Sequence, residues 1–153
     1  MVTKRSQRMA VVQKVVDDQE RRRARTLAAS EKLVLDSEAK LAELEKYRAG
    51  YLRDFSSKAG GGMSAARARD YQVFLARLDE ALKQQAQIVA RAKAQRDIER
   101  RNWQGAAQRA DAVDHMVQVW DSADRKELER HEQKESDEFS QRSPANGVHR
   151  RGS

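Results

Sequence analysis

The sequence predicts an all-α protein: a long two-helix antiparallel coiled-coil hairpin with a disordered C-terminal tail. Three observations carry that expectation. Apolar residues recur at three- and four-residue spacings along most of the chain. One cluster of three glycines, Gly60-Gly61-Gly62, interrupts the pattern, and the single proline, Pro144, falls near the C-terminal end. Charged residues make up 36% of the chain and aromatics 5%, so large apolar side chains are too few to fill a globular core.

The elements follow in order within one domain, 1–142. Helix 1 is expected over about 6–57, opening on Met9, Val12 and Val16. It continues through Leu27, Val34 and Leu41, seven apart, with Leu44 and Tyr51 in a companion row. The glycines carry the largest backbone entropy cost in a helix and set a turn over 58–63. They do not read as a phosphate-binding loop, because no strand precedes them and no Lys-Ser/Thr pair follows. Ser64 is a candidate N-cap for helix 2, expected over about 64–140. That helix shows the clearer heptads: Leu75, Leu82, Val89, Arg96, Trp103, Ala110, Val117 in one row, and Leu78, Gln85, Ala92, Glu99, Ala106, Val113, Trp120 in the other. Residues 143–153 hold no apolar anchor and are expected to be a disordered tail.

Folding the chain at the glycines layers residues whose numbers add to about 122. Leu41 then meets Leu82, Val34 meets Val89, Val16 meets Ala106, Val12 meets Ala110 and Met9 meets Val113. The layer of Leu27 with Arg96 is poor, and Gln85 and Glu99 are further polar seam residues, which cost stability but can fix register. Beyond about Trp120, helix 2 is expected to outrun helix 1.

Several functions are disfavoured. No apolar run approaches the roughly 20 residues needed to span a bilayer. The basic start, Met1 to Arg8, lacks the apolar stretch of a secretory signal, so a cytoplasmic protein is expected, at a membrane only through partners. The chain has no cysteine, and His115, His131 and His149 show no metal-ligand spacing. Two helices provide no pocket, so no catalytic residue, cofactor or metal is assigned. The net charge of +7 is uneven: residues 1–26 carry +5, 27–63 balance, 64–110 carry +5, 111–142 carry −5 and the tail +2. Sign reversal along the chain argues for ends with different partners and against a nucleic-acid face. A basic coiled coil that binds nucleic acid, favoured by Arg21-Arg22-Arg23 and a pI near 9.9, is the alternative, and a self-associating structural coiled coil is a further one.

The aromatics are informative. Five of the eight fall around the turn: Tyr47, Tyr51, Phe55, Tyr71 and Phe74. Some can cap the open end of the hairpin, but such a cluster more commonly marks a protein-binding surface. Trp120, at the opposite end, is expected to want a partner or a self-contact.

The segments Leu44-Glu-Lys-Tyr47-Arg-Ala-Gly-Tyr51 and Tyr71-Gln-Val-Phe74-Leu-Ala-Arg-Leu78-Asp-Glu-Ala81-Leu82, with Trp103 and the terminal Asp137-Glu138-Phe139, resemble the FliJ family of the flagellar type III export apparatus. The resemblance covers nearly the whole helical part. It implies a non-enzymatic stalk that couples the hexameric export ATPase, FliI, to the export gate protein, FlhA, and cycles export chaperones. Flagellum biogenesis, cell motility and chemotaxis are the processes implied, and the cytoplasmic face of the membrane is the place. The gate-binding face maps onto Leu44, Tyr47, Tyr51, Phe74, Leu78 and Ala81. The ATPase contact is implied at the end holding both termini, with Met9, Val12, Trp120 and Phe139 as its candidates.

Overall fold

The computed structural model describes residues 4–148 and contains two helices, α1 (Lys4–Gly60) and α2 (Ala65–Val148), with no strand among the described residues. The helices pack against each other in two compact units. One is Gln19–Ala107, which holds the turn; the other combines the described parts of Met1–Asp18 and Gln108–Ser153.

The turn lies later than the glycines alone suggest. α1 runs through Ser56–Gly60 instead of stopping near 57, since nothing in that stretch forces φ out of the helical region. It ends by tightening: the amides of Gly61 and Gly62 donate to the carbonyls of Lys58 and Ala59, each at 3.3 Å. Gly62 then takes φ = +91°, the left-handed conformation that side chains disfavour. Ser64 caps α2 as expected, its Oγ accepting the Arg67 amide at 3.2 Å. At the far end α2 continues beyond 140 to Val148 in backbone. Pro144 lies within that helix, where its missing N–H leaves the Ser140 carbonyl without the usual intrahelical donor. Residues 149–153, including His149, lie outside the described residues.

In the unit Gln19–Ala107, Phe55 packs on Tyr71 and Tyr51 on Phe74, with centroids 5.3 and 4.6 Å apart, and Trp103 Nε1 donates to Glu20 at 2.8 Å. Tyr51 also lies 4.8 Å from Tyr71, and Gln85 bonds to Ser37, both pairs adding to 122, so the expected layering is kept to within about one turn. In the other unit Gln13 donates to Asp114 and Arg5 to Asp124, both at 3.0 Å.

Both expected rows of α2 lie in the seam: from Tyr71 to Asp124, positions three and four apart are buried or half-buried. On α1 Val12, the expected partner of Ala110, lies toward solvent. Val12 is 41% exposed, and Gln13 and Val16 occupy the half-buried positions beside it. The α1 core includes two serines that apolar periodicity passes over, Ser30 and Ser37, at 6% and 9% exposure. Each hydroxyl donates to its own helix, to the carbonyls of Leu27 and Val34, so neither is left unpaired. Small residues there let the helices approach, and buried Gln85 donates across the seam to the Ser37 carbonyl at 3.0 Å. Arg96, half-buried like Leu27, pairs with Asp97 at 3.2 Å. Glu99 accepts from Gln95 through Oε1, while its Oε2 is buried without a hydrogen-bond partner.

The turn geometry separates two glycines. Gly60 is helical with open space around a would-be Cβ, whereas Gly62 needs its positive φ. Gly60→Ala should stabilise the protein by about 0.5 kcal/mol, and Gly62→Ala should destabilise it by about 1 kcal/mol. Urea denaturation of both variants checks the opposite signs.

Candidate functional site

The aromatic cluster beside the turn is built from the i, i+4 rows of two helices. Tyr47, Tyr51 and Phe55 rise along α1, and Tyr71 and Phe74 come from the first turns of α2. Their rings form a continuous chain, Phe55 to Tyr71 to Tyr51 to Phe74 to Tyr47, with centroids 4.6 to 6.3 Å apart. The two helices thus cover more of this cluster than its size suggests. Tyr71 is buried, and Tyr51, Phe55 and Phe74 are half-buried. Tyr47, 56% exposed, carries the chain to the surface. Of the other residues on the expected gate-binding face, Leu44 and Ala81 are half-buried, while Leu78 is only 7% exposed and packs in the seam. Leu78 can support such a face but offers little surface to a partner.

Beside Tyr47 lies a shallow recess formed by α1 alone, lined by Glu43, Lys46, Tyr47, Gly50, Tyr51 and Asp54. Its floor is Gly50, where a Cβ would meet nothing closer than the Arg53 guanidinium at 3.9 Å. A mid-helix glycine costs about 1 kcal/mol against alanine, and packing within the chain does not require it here. Its effect is to leave open the space between two tyrosines.

Two charged groups, Asp54 and Lys58, brace the cluster through the Tyr71 hydroxyl, and sequence reasoning missed them. The Tyr71 hydroxyl donates to Asp54 Oδ2 at 2.7 Å and accepts from Lys58 Nζ at 3.3 Å; Lys58 also pairs with Asp54 at 3.4 Å. Asp54 and Lys58 are an i, i+4 pair that pattern alone could suggest, but their meeting Tyr71 depends on the turn geometry. The Tyr71 hydrogen bond holds the Asp54 carboxyl below its usual range, assisted by Lys58 against the opposing effect of desolvation. Hydrogen bonds to Tyr71 and Asp54 push the Lys58 ammonium upward. Desolvation, then the neighbouring Tyr71 and Tyr47, raise the Tyr51 phenol. Arg48 and Asp79 add an ion pair between the helices.

In the other unit Trp120 is not bare. The Arg5 guanidinium lies 4.6 Å from its ring centroid and also pairs with Asp124, so pairing reaches one layer past Trp120. Met9 and Trp120 are half-buried and share a small cleft with Ser6, Ala10, Gln13, Val117 and Asp121. Val12 is exposed at the side of α1, and Phe139 is 75% exposed on a stretch of α2, 125–142, in which every side chain is exposed. The four residues expected at the ATPase end therefore do not form one patch.

Among the described residues no cluster of histidine or carboxylate side chains could hold a metal ion, and no helix is long and apolar enough to cross a membrane. The family model described as "Flagellar FliJ protein" matches residues 5–148. The chain belongs to that family and is an export-related flagellar protein. No curated protein and no solved structure matches it.

The brace fixes a pH dependence. The lowered carboxyl of Asp54 contributes stability that is present above the ordinary carboxylate range and lost as pH falls through its depressed folded value. The raised Lys58 and Tyr51 groups contribute stability that is present below their ordinary values and lost as pH rises through their folded ones. The cluster should hold through neutral pH and loosen in acid and strong alkali. Tyr71→Phe removes the main cause of the Asp54 shift, so an NMR titration of the Asp54 carboxyl should move toward the ordinary range. An unmoved titration would contradict the assigned cause.

Proposed function

We propose that the chain is a non-enzymatic coupling element of flagellar type III export, placed between the hexameric export ATPase FliI and the export gate protein FlhA at the cytoplasmic face of the membrane. The cluster next to the turn meets the gate through Leu44, Tyr47, Tyr51, Phe74 and Ala81, with Leu78 beneath them. The unit holding the two chain ends meets the ATPase, with Met9, Val12, Trp120 and Phe139 as contacts. Export chaperones are further partners that the protein would cycle.

One observation carries the reading. A braced set of rings ends in an exposed tyrosine beside a recess kept open by a glycine that internal packing does not need. Rigid aromatic anchors next to a pocket are what protein interfaces concentrate their energy in. Family membership supports an export role of this kind. Against a nucleic-acid role stands the acidic block of 111–142.

The test is capture of the purified cytoplasmic gate domain and of the ATPase by the wild type, by Tyr47→Ala with Phe74→Ala, and by Gly50→Ala. Gate capture should fall about tenfold or more for both variants, with ATPase capture unchanged. Gly50→Ala should melt no lower than the wild type, which separates a filled recess from a loosened fold. Full gate capture by both variants would sink the assignment, and loss of ATPase capture alone would exchange the two contacts.

A further inference from the structure

In the unit that combines the described parts of Met1–Asp18 and Gln108–Ser153, α2 carries an apolar row that α1 does not cover. Ala112, Met116, Val119 and Ala123 are all exposed, Met116 at 42% and Val119 at 50%. Their spacing of four, three and four is that of a coiled-coil seam. The half-buried Val113, Val117, Trp120 and Asp124 already form the seam toward α1, so this is a second row on the same helix.

The second row carries both halves of a knob-into-hole contact. Along it lies a shallow recess lined by His115, Gln118, Val119, Ser122, Ala123 and Lys126. Those residues make two overlapping sets at i, i+3, i+4 and i+7, the four-residue hole that receives a knob from a facing helix. Met116 is the large side chain beside the recess. Let two copies of α2 lie antiparallel with opposed numbers adding to about 235. Met116 of each copy then falls over the hole of His115, Gln118, Val119 and Ser122 in the other, and Ala112 falls over the second hole. A surface that carries a knob and its matching hole complements itself about a twofold axis.

Charge selects the same register. Arg109 and Glu127 lie about five turns apart and share one flank of the row. At a sum of about 235, Arg109 of one copy stands beside Glu127 of the other, and Asp111 stands near Lys126. The axis makes each contact occur twice. Among the described residues none of these four side chains makes an ion pair within its own chain. A parallel pairing would set Arg109 against Arg109 and Glu127 against Glu127, so the flanks favour the antiparallel one. An anionic lipid surface fits poorly, because carboxylates and cations border the row alike.

We propose that this face of α2 is the contact through which two copies of the chain pair antiparallel, over 109–127. The seam with α1 is not used and stays closed in the pair. The proposal does not rest on the functional reading above.

The experiment follows the full chain by sedimentation over a range of concentrations. The wild type should pass from monomer to dimer, and Met116→Glu with Val119→Glu should lower the association constant about tenfold or more. Both positions are exposed, so the thermal midpoint of that variant at low concentration should stay at the wild-type value. Arg109→Glu alone and Glu127→Arg alone should each weaken pairing, and the two together should restore it. Direction is read from spin labels on single introduced cysteines, since the chain has none of its own. Labels at Gln118 should lie within about 25 Å of each other, whereas labels at Gln133 should be separated by about 45 Å or more. A wild type that stays monomeric throughout, a charge swap that restores nothing, or two equally short label distances overturns the proposal. A chain that never dimerises but loses ATPase capture on Met116→Glu with Val119→Glu would assign the face to that partner, which also overturns it.

Discussion

Two helices side by side have one seam, and the rest of this structure depends on that limit. A residue is either in the seam or in water, so there is no interior in which a large side chain can be enclosed. Val34, Val89 and Ala106 are buried, yet no large side chain in the described residues is fully enclosed. Stability must come from many modest contacts spread along the length, with polar seam residues satisfied locally. The serines at 30 and 37 do this by bonding back to their own helix. The large rings gather beside the turn, where packing on each other supplies the cover that a second layer of structure would otherwise give.

Much of this was legible in the residues, and the exceptions have physical causes. The α2 heptads translate directly into burial because their apolar and polar positions alternate with little ambiguity. The α1 rows were only half visible: Leu44 and Tyr51 extend back by sevens to Ser37 and Ser30, but hydroxyls do not look like core until their intrahelical bonds are seen. The end of α1 was placed early because three adjacent glycines do not reveal which of them adopts the left-handed conformation. The polar brace on Tyr71 was hidden for the same reason, since it joins residues across that turn. Trp120 looked bare because the cation that covers it, Arg5, lies just before the expected start of the helix.

Charge is distributed with equal economy. Around the aromatic cluster, cross-helix and i, i+4 pairs such as Arg48 with Asp79 and Lys58 with Asp54 hold the geometry. Along 125–142 the acids have no opposing helix and stay in solvent.

The single turn also orders the way the chain gains and loses its structure. Tyr71 meets Asp54 across 17 residues, whereas Arg5 meets Asp124 across 119. Closing the first pair encloses a short loop, and each later pair adds only a small increment to a loop already closed. Folding by this route starts at Gly62 and zips outward, so the last contacts join residues distant in sequence without closing a large new loop. Opening runs in reverse, and the contacts of Arg5 with Trp120 and Asp124 are the first to be given up. A partner that grips those segments would find them the least costly part of the protein to remodel, while the rings beside the turn stay folded.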